Sequence, residues 1–125
     1  MLKKYYTFIN ESKASEVNKR CRDFCLEDYE ISDDGVVTSH SDVYLFEYGL
    51  EKLPMKFDRV EGDFDCNNNK LTTLEGSPKE VHGLFDCSDN KLSLLDGAPS
   101  RVNGNFFCSS NNLVSLENGP KFVGG

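Results

Sequence analysis

Tryptophan is absent from the 125 residues, and histidine and methionine occur twice each. Nine Phe and five Tyr must therefore supply the large apolar side chains. No apolar run approaches the ~20 residues that a membrane span requires. The stretch Met1–Ile9 has neither the long apolar centre nor the small-residue cleavage site of a signal peptide, so a cytoplasmic location is expected. A basic surplus is also missing. Fourteen Lys/Arg against 21 Asp/Glu leave a net charge of −7, with no cationic stripe to release counterions from phosphates. Direct nucleic-acid binding is thereby disfavoured, and a basic protein partner is the natural complement. Five cysteines are an odd number, unlike the even count of a secreted disulfide framework, and all five are read as reduced thiols. The length suits one domain and is too short for a TIM barrel or a two-lobed enzyme. No Walker-type glycine loop and no G-x-S-x-G element occurs.

What the chain does contain is a repeat. Leu50, Leu71, Leu92 and Leu113 recur with a period of 21, as do Leu53, Leu74, Leu95 and Leu116. Val60, Val81, Val102 and Val123 hold a third register, and Gly62, Gly83, Gly104 and Gly125 a fourth. Phe64, Phe85 and Phe106, then Cys66, Cys87 and Cys108, then Asn69, Asn90 and Asn111 complete the pattern. Within each unit Val-x-Gly-x-Phe-x-Cys alternates with period two, the mark of a strand with one buried face. In the middle repeat the inward set is Val81, Gly83, Phe85 and Cys87. Asn90 is placed to bond backbone groups of its own and neighbouring coils. Glu75-Gly76-Ser77-Pro78 reads as the turn that closes the coil. One such unit cannot bury its own apolar face, so the units must stack as parallel strands about 4.8 Å apart.

This phrasing resembles leucine-rich repeats in the short form used by bacteria and their phages. In L-x-x-L-x-L-x-x-N-x-L, Phe85, Cys87, Asn90 and Leu92 fill the fourth, sixth, ninth and eleventh places. The chain departs at the first place, where His82 stands and Val81 falls one residue early. Closer still is the resemblance to small tailed-bacteriophage proteins whose repeats read L-T-S-L-E-G-x-P-K-E-V-x-G-x-F-x-C-S-x-N, which Leu71 to Asn90 matches almost throughout. The resemblance covers roughly residues 25–125 and implies a mainly β, parallel-stranded, leucine-rich-repeat-like solenoid. It is nearly silent on activity. What it suggests is a phage-encoded protein that binds and inhibits, or redirects, a bacterial host protein. A defence nuclease complex is one candidate target, in the manner of anti-CRISPR or other counter-defence proteins.

The expected organisation is an N-terminal cap over 1–34, with a helix over about 12–28, and a solenoid over 35–125. The solenoid divides into a divergent first coil (35–49), repeats starting at 50, 71 and 92, and an incomplete one at 113. The helix follows from the spacing of Val17, Cys21, Phe24, Cys25 and Asp28/Tyr29, with Asn10, Ser12 or Ser15 as its cap. Residues 31–37, turning at Asp34-Gly35, are expected to form a hairpin, and residues 1–9 read equally as strand or helix. No polar cap follows the last repeat, so the strand over 102–109 is expected to be an uncovered edge, a seat for homodimerisation.

Residues alternating with the buried set project outward, where solenoids usually bind. Reading across coils gives His40, Glu61, His82 and Asn103; then Asp42, Asp63, Leu84 and Asn105; then Tyr44, Asp65, Asp86 and Phe107; then Phe46, Asn67, Ser88 and Ser109. The expected partner-binding set is Tyr44, Phe46, Asp63, Asp65, Leu84, Asp86, Asn105 and Phe107, with carboxylates steering a basic surface and apolar groups anchoring it. The acids also read simply as solubilising groups. An alternative is an acidic nucleic-acid mimic that occupies a nucleic-acid-binding channel. Stacked inward thiols lie in a line rather than a tetrahedron, so the cysteine ladder reads as core and not as a metal site. No catalytic residue, cofactor or metal is expected.

Overall fold

The computed structural model describes residues 11–125. Helix α1 (Glu11–Asp23) leads into ten short strands: β1 (Tyr29–Ile31), β2 (Val36–Ser39), β3 (Val43–Tyr44), β4 (Lys56–Val60), β5 (Phe64–Asp65), β6 (Glu80–Val81), β7 (Phe85–Asp86), β8 (Arg101–Val102), β9 (Phe106–Phe107) and β10 (Phe122–Val123). They form a six-stranded sheet, β1-β2-β4-β6-β8-β10, and a four-stranded sheet, β3-β5-β7-β9. Among the described residues only the β1–β2 hairpin is antiparallel; the other pairings are parallel. From β4 onward each residue pairs with the one 21 later, as in Val60↔Val81↔Val102↔Val123 and Phe64↔Phe85↔Phe106. The protein is a parallel β-solenoid whose first coil carries the hairpin and helix.

The valine, phenylalanine, thiol and leucine columns line its interior. Val60, Val81, Val102, Phe64, Phe85, Cys66, Cys87, Leu71, Leu74 and Leu92 are fully buried. The rings of Phe64, Phe85 and Phe106 stack nearly parallel, with centroids 5.3 and 5.4 Å apart.

The expected single strand from valine to cysteine is instead two, one in each sheet. The chain turns a corner at the glycine column, where backbone lies directly on backbone. Gly83 N–H donates to Gly62 O at 2.9 Å and Gly104 N–H to Gly83 O at 2.9 Å. A Cβ on Gly104 would sit 2.8 Å from Gly83 O, so no side chain fits there. A second corner follows the short strand, and the same column turns it in every coil: Glu47, Asn68, Asp89 and Ser110 have φ between 53° and 61°.

The asparagine column joins the coils. Asn90 Oδ1 accepts from Leu71 N–H at 2.9 Å, and Asn90 Nδ2 donates to Cys66 O, Cys87 O and Ser88 O at 3.1 Å each. Asn111 repeats the arrangement one coil later, and Asn69 one coil earlier. Each amide thus satisfies buried backbone groups of two coils at once.

The helix is shorter than expected and ends at Asp23. Cys25 takes φ 61° and its N–H donates to Arg22 O, while Leu26 N–H reaches back to Cys21 O at 2.9 Å. That is a Schellman stop with buried Leu26 and Cys21 as its apolar contact, and it uses a cysteine where glycine usually marks the end. Ser12 and Ser15 lie inside the helix, while Asn10 and residues 1–9 lie outside the described residues. The 31–37 hairpin forms, as β1 and β2.

The edge expected over 102–109 is confined to β9. The chain continues into β10, which pairs with β8 and covers Arg101–Val102. Among the described residues nothing pairs with the far side of β9. In the last coil Leu116 is 72% exposed, whereas its counterparts Leu74 and Leu95 are buried.

Candidate partner-binding face and recess

The outer face of the four-stranded sheet places the expected residues in rows. Tyr44, Asp65, Asp86 and Phe107 are successive ladder partners, so they run in one column across the face. Tyr44, Phe46 and Phe107 are 49%, 40% and 42% exposed. Leu84 is half-buried and Asn105 exposed. Three rungs of about 4.8 Å separate Tyr44 from Phe107, so the aromatic groups stand at opposite ends of the column.

The acids between them are fastened to the backbone. Asp42 Oδ1 accepts from Asp63 N–H at 2.7 Å, and Asp63 Oδ1 from Leu84 N–H at 2.9 Å. Asp65 Oδ1 accepts from Asn67 N–H at 3.0 Å and from the Asn67 amide group, and Asp86 Oδ1 from Ser88 N–H at 2.9 Å. Two of these bonds tie one coil to the next and three brace a local turn. Burial raises the Asp65 carboxyl above its ordinary value, against the pull of the Asn67 hydrogen bonds; the neighbouring charges of Asp86 and Asp63 also raise it. Neither expectation, free steering charge or plain solubilising group, anticipates this role.

The structure gathers Tyr44 and Phe46 with residues that the repeat does not point to. Phe24 and Tyr48 supply two further aromatic walls of a recess of about 460 Å³ at the first coil, and Glu27, Asp42 and Glu47 supply carboxylates. Phe24 packs edge-to-face on Tyr48 at 4.8 Å, and Tyr44 edge-to-face near Phe46 at 6.0 Å. The Tyr44 hydroxyl donates to Asp42 Oδ2 at 3.0 Å, which raises its pKa. Tyr48 occupies the asparagine column, and its aromatic character there was the available signal; Phe24, which the helical spacing assigns to the helix, and Glu27 come instead from the loop after α1. Phe107, Leu84 and Asn105 do not reach the recess.

Both histidines pair with glutamates. His40 Nδ1 lies 2.9 Å from Glu61 Oε1, and His40 Nε2 lies 3.0 Å from Glu30 Oε2. Arg59 Nη2 donates to Glu61 Oε2 at 2.8 Å, and His82 Nε2 lies 3.3 Å from Glu80 Oε2. Among the described residues no group of three or more His, Cys, Asp or Glu is placed to hold a metal ion. The buried thiols are poor nucleophiles: burial pushes Cys21 up to about 12 and raises Cys66 and Cys87 well above the ordinary thiol range.

The hydrogen bonds of Glu61 and then Glu30 raise the His40 pKa above its ordinary 6.5. The imidazolium therefore contributes stability fully below that ordinary value, and the contribution fades as pH rises through the raised one. His40→Gln is expected to melt about 1–3 °C below the wild type near pH 6 and within about 1 °C of it near pH 8.5. Scanning calorimetry at both pH values checks this, and a gap independent of pH would refute it.

No family model matches the chain, no curated protein matches it, and no solved structure matches it.

Proposed function

We propose that this protein is a non-enzymatic protein-binding module, phage-encoded, that binds and inhibits or redirects a bacterial host protein with a basic surface. A defence nuclease complex is the candidate class of target, and steric occlusion is the mechanism. The observation that carries the reading is the set of half-exposed aromatic side chains, Tyr44, Phe46, Tyr48 and Phe107, on the outer side of a rigid parallel stack. Polar residues would serve a solvated sheet face equally well, and aromatic anchors in an acidic field suit protein recognition. No helix among the described residues is long and apolar enough to cross a membrane; action in the host cytoplasm belongs to the proposal.

A second reading, the nucleic-acid mimic, draws on Asp65 and Asp86 standing one above the other across adjacent rungs. Salt and substitution separate the two. The immobilised chain is exposed to bacterial lysate, and retained protein is quantified at about 0.1 and about 0.5 M salt. An anchored interface predicts that Tyr44→Ala or Phe107→Ala lowers retention roughly tenfold or more, with modest salt dependence. Mimicry predicts steep loss with salt, and greater harm from Asp63→Asn with Asp65→Asn than from either alanine. Turnover of a substrate by the isolated chain would end both readings.

The open side of β9 is the proposed seat of a homodimer, supported by the exposed Phe107 beside it and by Leu116 and Val123 in columns that are buried elsewhere. In the same preparation, light scattering at micromolar concentration is expected to give twice the chain mass for the wild type and the single mass for Phe107→Asp.

A further inference from the structure

The recess at the first coil has a composition that selects its occupant. Its aromatic walls come from Phe24, Tyr44, Phe46 and Tyr48, and its charged lining consists of Glu27, Asp42 and Glu47. None of the described lining residues is a cation. A purely apolar ligand would desolvate those carboxylates without pairing them, and an anion would be repelled. A cation gains twice, from the carboxylates and from the electron-rich ring faces. In an edge-to-face pair only one ring's face meets the partner, so the Phe24–Tyr48 and Tyr44–Phe46 pairs each keep ring faces their partner does not cover.

Asp42 anchors the charge. Its Oδ1 is held by Asp63 N–H and its Oδ2 by the Tyr44 hydroxyl, so the carboxylate is fixed in place before any ligand arrives. Glu27 and Glu47 are exposed at the mouth, and Glu47 is set by its left-handed backbone, φ 61°. Its single side-chain hydrogen bond among the described residues is a long one, from Asn68 Nδ2 at 3.4 Å. A volume of about 460 Å³ exceeds what one ammonium needs and suits a planar group on a long apolar stem.

We propose that this recess receives an arginine side chain from the bound protein partner, its guanidinium stacked on the aromatic walls and forked toward the carboxylates. Arginine fits better than lysine because its flat, weakly hydrated head both stacks and pairs bidentately. The inference rests on the partner-binding reading above and names the chemical group that this end of the face recognises.

The test is a titration of the isotopically labelled full chain by NMR with three capped tripeptides, Gly-Arg-Gly, Gly-Lys-Gly and Gly-citrulline-Gly. Citrulline keeps the shape of arginine and removes its charge. The arginine peptide is expected to give saturable shifts confined to the amides of Cys25, Glu47, Tyr48 and their neighbours. Its affinity should exceed that of the lysine peptide about fivefold, and the citrulline peptide should not saturate. Glu47→Gln should weaken the arginine peptide about three- to tenfold with an unchanged melting temperature, and Tyr48→Ala about as much in a chain that keeps its folded amide spectrum despite losing the ring contact with Phe24. Equal binding of citrulline and arginine, shifts centred on Asp65 and Asp86, or indifference to both variants would overturn the inference. The two readings fail separately. A lysate partner that is retained through Phe107 but ignores Glu47→Gln and Tyr48→Ala removes the recess while leaving the binding module. An arginine peptide that binds as expected, with no lysate partner sensitive to Tyr44 or Phe107, removes the module while leaving the recess.

Discussion

Phe85→Ala is expected to lower the free energy of unfolding by about 3–5 kcal/mol, a large share of the ~5–15 kcal/mol that holds a domain of this size. Phe85 is fully buried and stacks on Phe64 at 5.3 Å and on Phe106 at 5.4 Å. Truncation removes both ring contacts and leaves a cavity whose walls are rungs of hydrogen-bonded backbone. Those rungs cannot close in, because the distance between coils is set by the ladder and not by the side chains. The same substitution at Phe106 should cost about half as much, since that ring is half-buried and has one stacked neighbour. Urea unfolding followed by circular dichroism measures both. In a stack where each coil stabilises only its neighbours, a defect in the middle also uncouples the two halves. Phe85→Ala should therefore broaden the transition or lower its slope, whereas Phe106→Ala should shift the midpoint alone. Equal losses at the two positions would mean that the rings contribute independently and that the phenylalanine column is not a cooperative spine.

The columns that place these rings were readable because burial in a solenoid is periodic along the chain. A residue such as Val81 meets its counterparts Val60 and Val102 at a fixed offset of 21, so one unit predicts the next. The asparagine column was readable for the same reason, and its bonds to two coils follow from the geometry of an amide with one acceptor and two donor hydrogens. The corner between β6 and β7 was not readable as a corner. Alternation in Val81-His82-Gly83-Leu84-Phe85 is compatible with one straight strand, and the bend follows from the contact of Gly83 with Gly62 one coil away. The end of α1 was hidden by Cys25, which adopts a conformation that sequence reasoning assigns to glycine or asparagine.

The proposed binding face was legible as a set of outward residues and illegible as a site. Periodicity says that Asp63 points outward; it does not say that Leu84 N–H occupies one of its oxygens. Half of what looks like negative charge offered to a partner is engaged in holding the next coil. The recess lies where the repeat gives way to the irregular first coil. There Tyr48 stands in the asparagine column, and a loop from the helix brings Phe24 and Glu27 alongside. The aromatic and acidic side chains of the recess thus gather at the end of the stack where the repeat fails.

Asn90 provides the sharpest test of how the coils are joined. Asn90→Ala leaves Leu71 N–H without its acceptor at a site that is 8% exposed, while Cys66 O, Cys87 O and Ser88 O each lose one donor and keep Asn69 Nδ2, Asn111 Nδ2 and Asn68 N–H respectively. At about 1–3 kcal/mol for the unsatisfied N–H, with about 0.5–1.5 kcal/mol for the bonds the amide donated, a loss of about 2–4 kcal/mol is expected. Asn90→Asp separates shape from chemistry. The carboxylate is nearly isosteric and still accepts from Leu71 N–H, yet its second oxygen then faces three carbonyl oxygens with no hydrogen to offer. Near pH 7 the aspartate variant should therefore be at least as unstable as the alanine variant. Burial and the opposed carbonyls must raise the folded-state pKa of that carboxyl above its unfolded value, so its protonated form is the one the fold tolerates. Relative to wild type, the loss should shrink as pH falls from about 7 to about 5, because protonation restores one donor. The alanine variant has nothing to protonate and should show no such recovery. Asn111→Asp, whose amide shares its two hydrogens among three carbonyl oxygens in the same way from a half-buried position, should lose less and recover less. Were the aspartate variant as stable as wild type at neutral pH, the donated bonds would contribute nothing, and the coils would be held by side-chain packing and the backbone ladder alone.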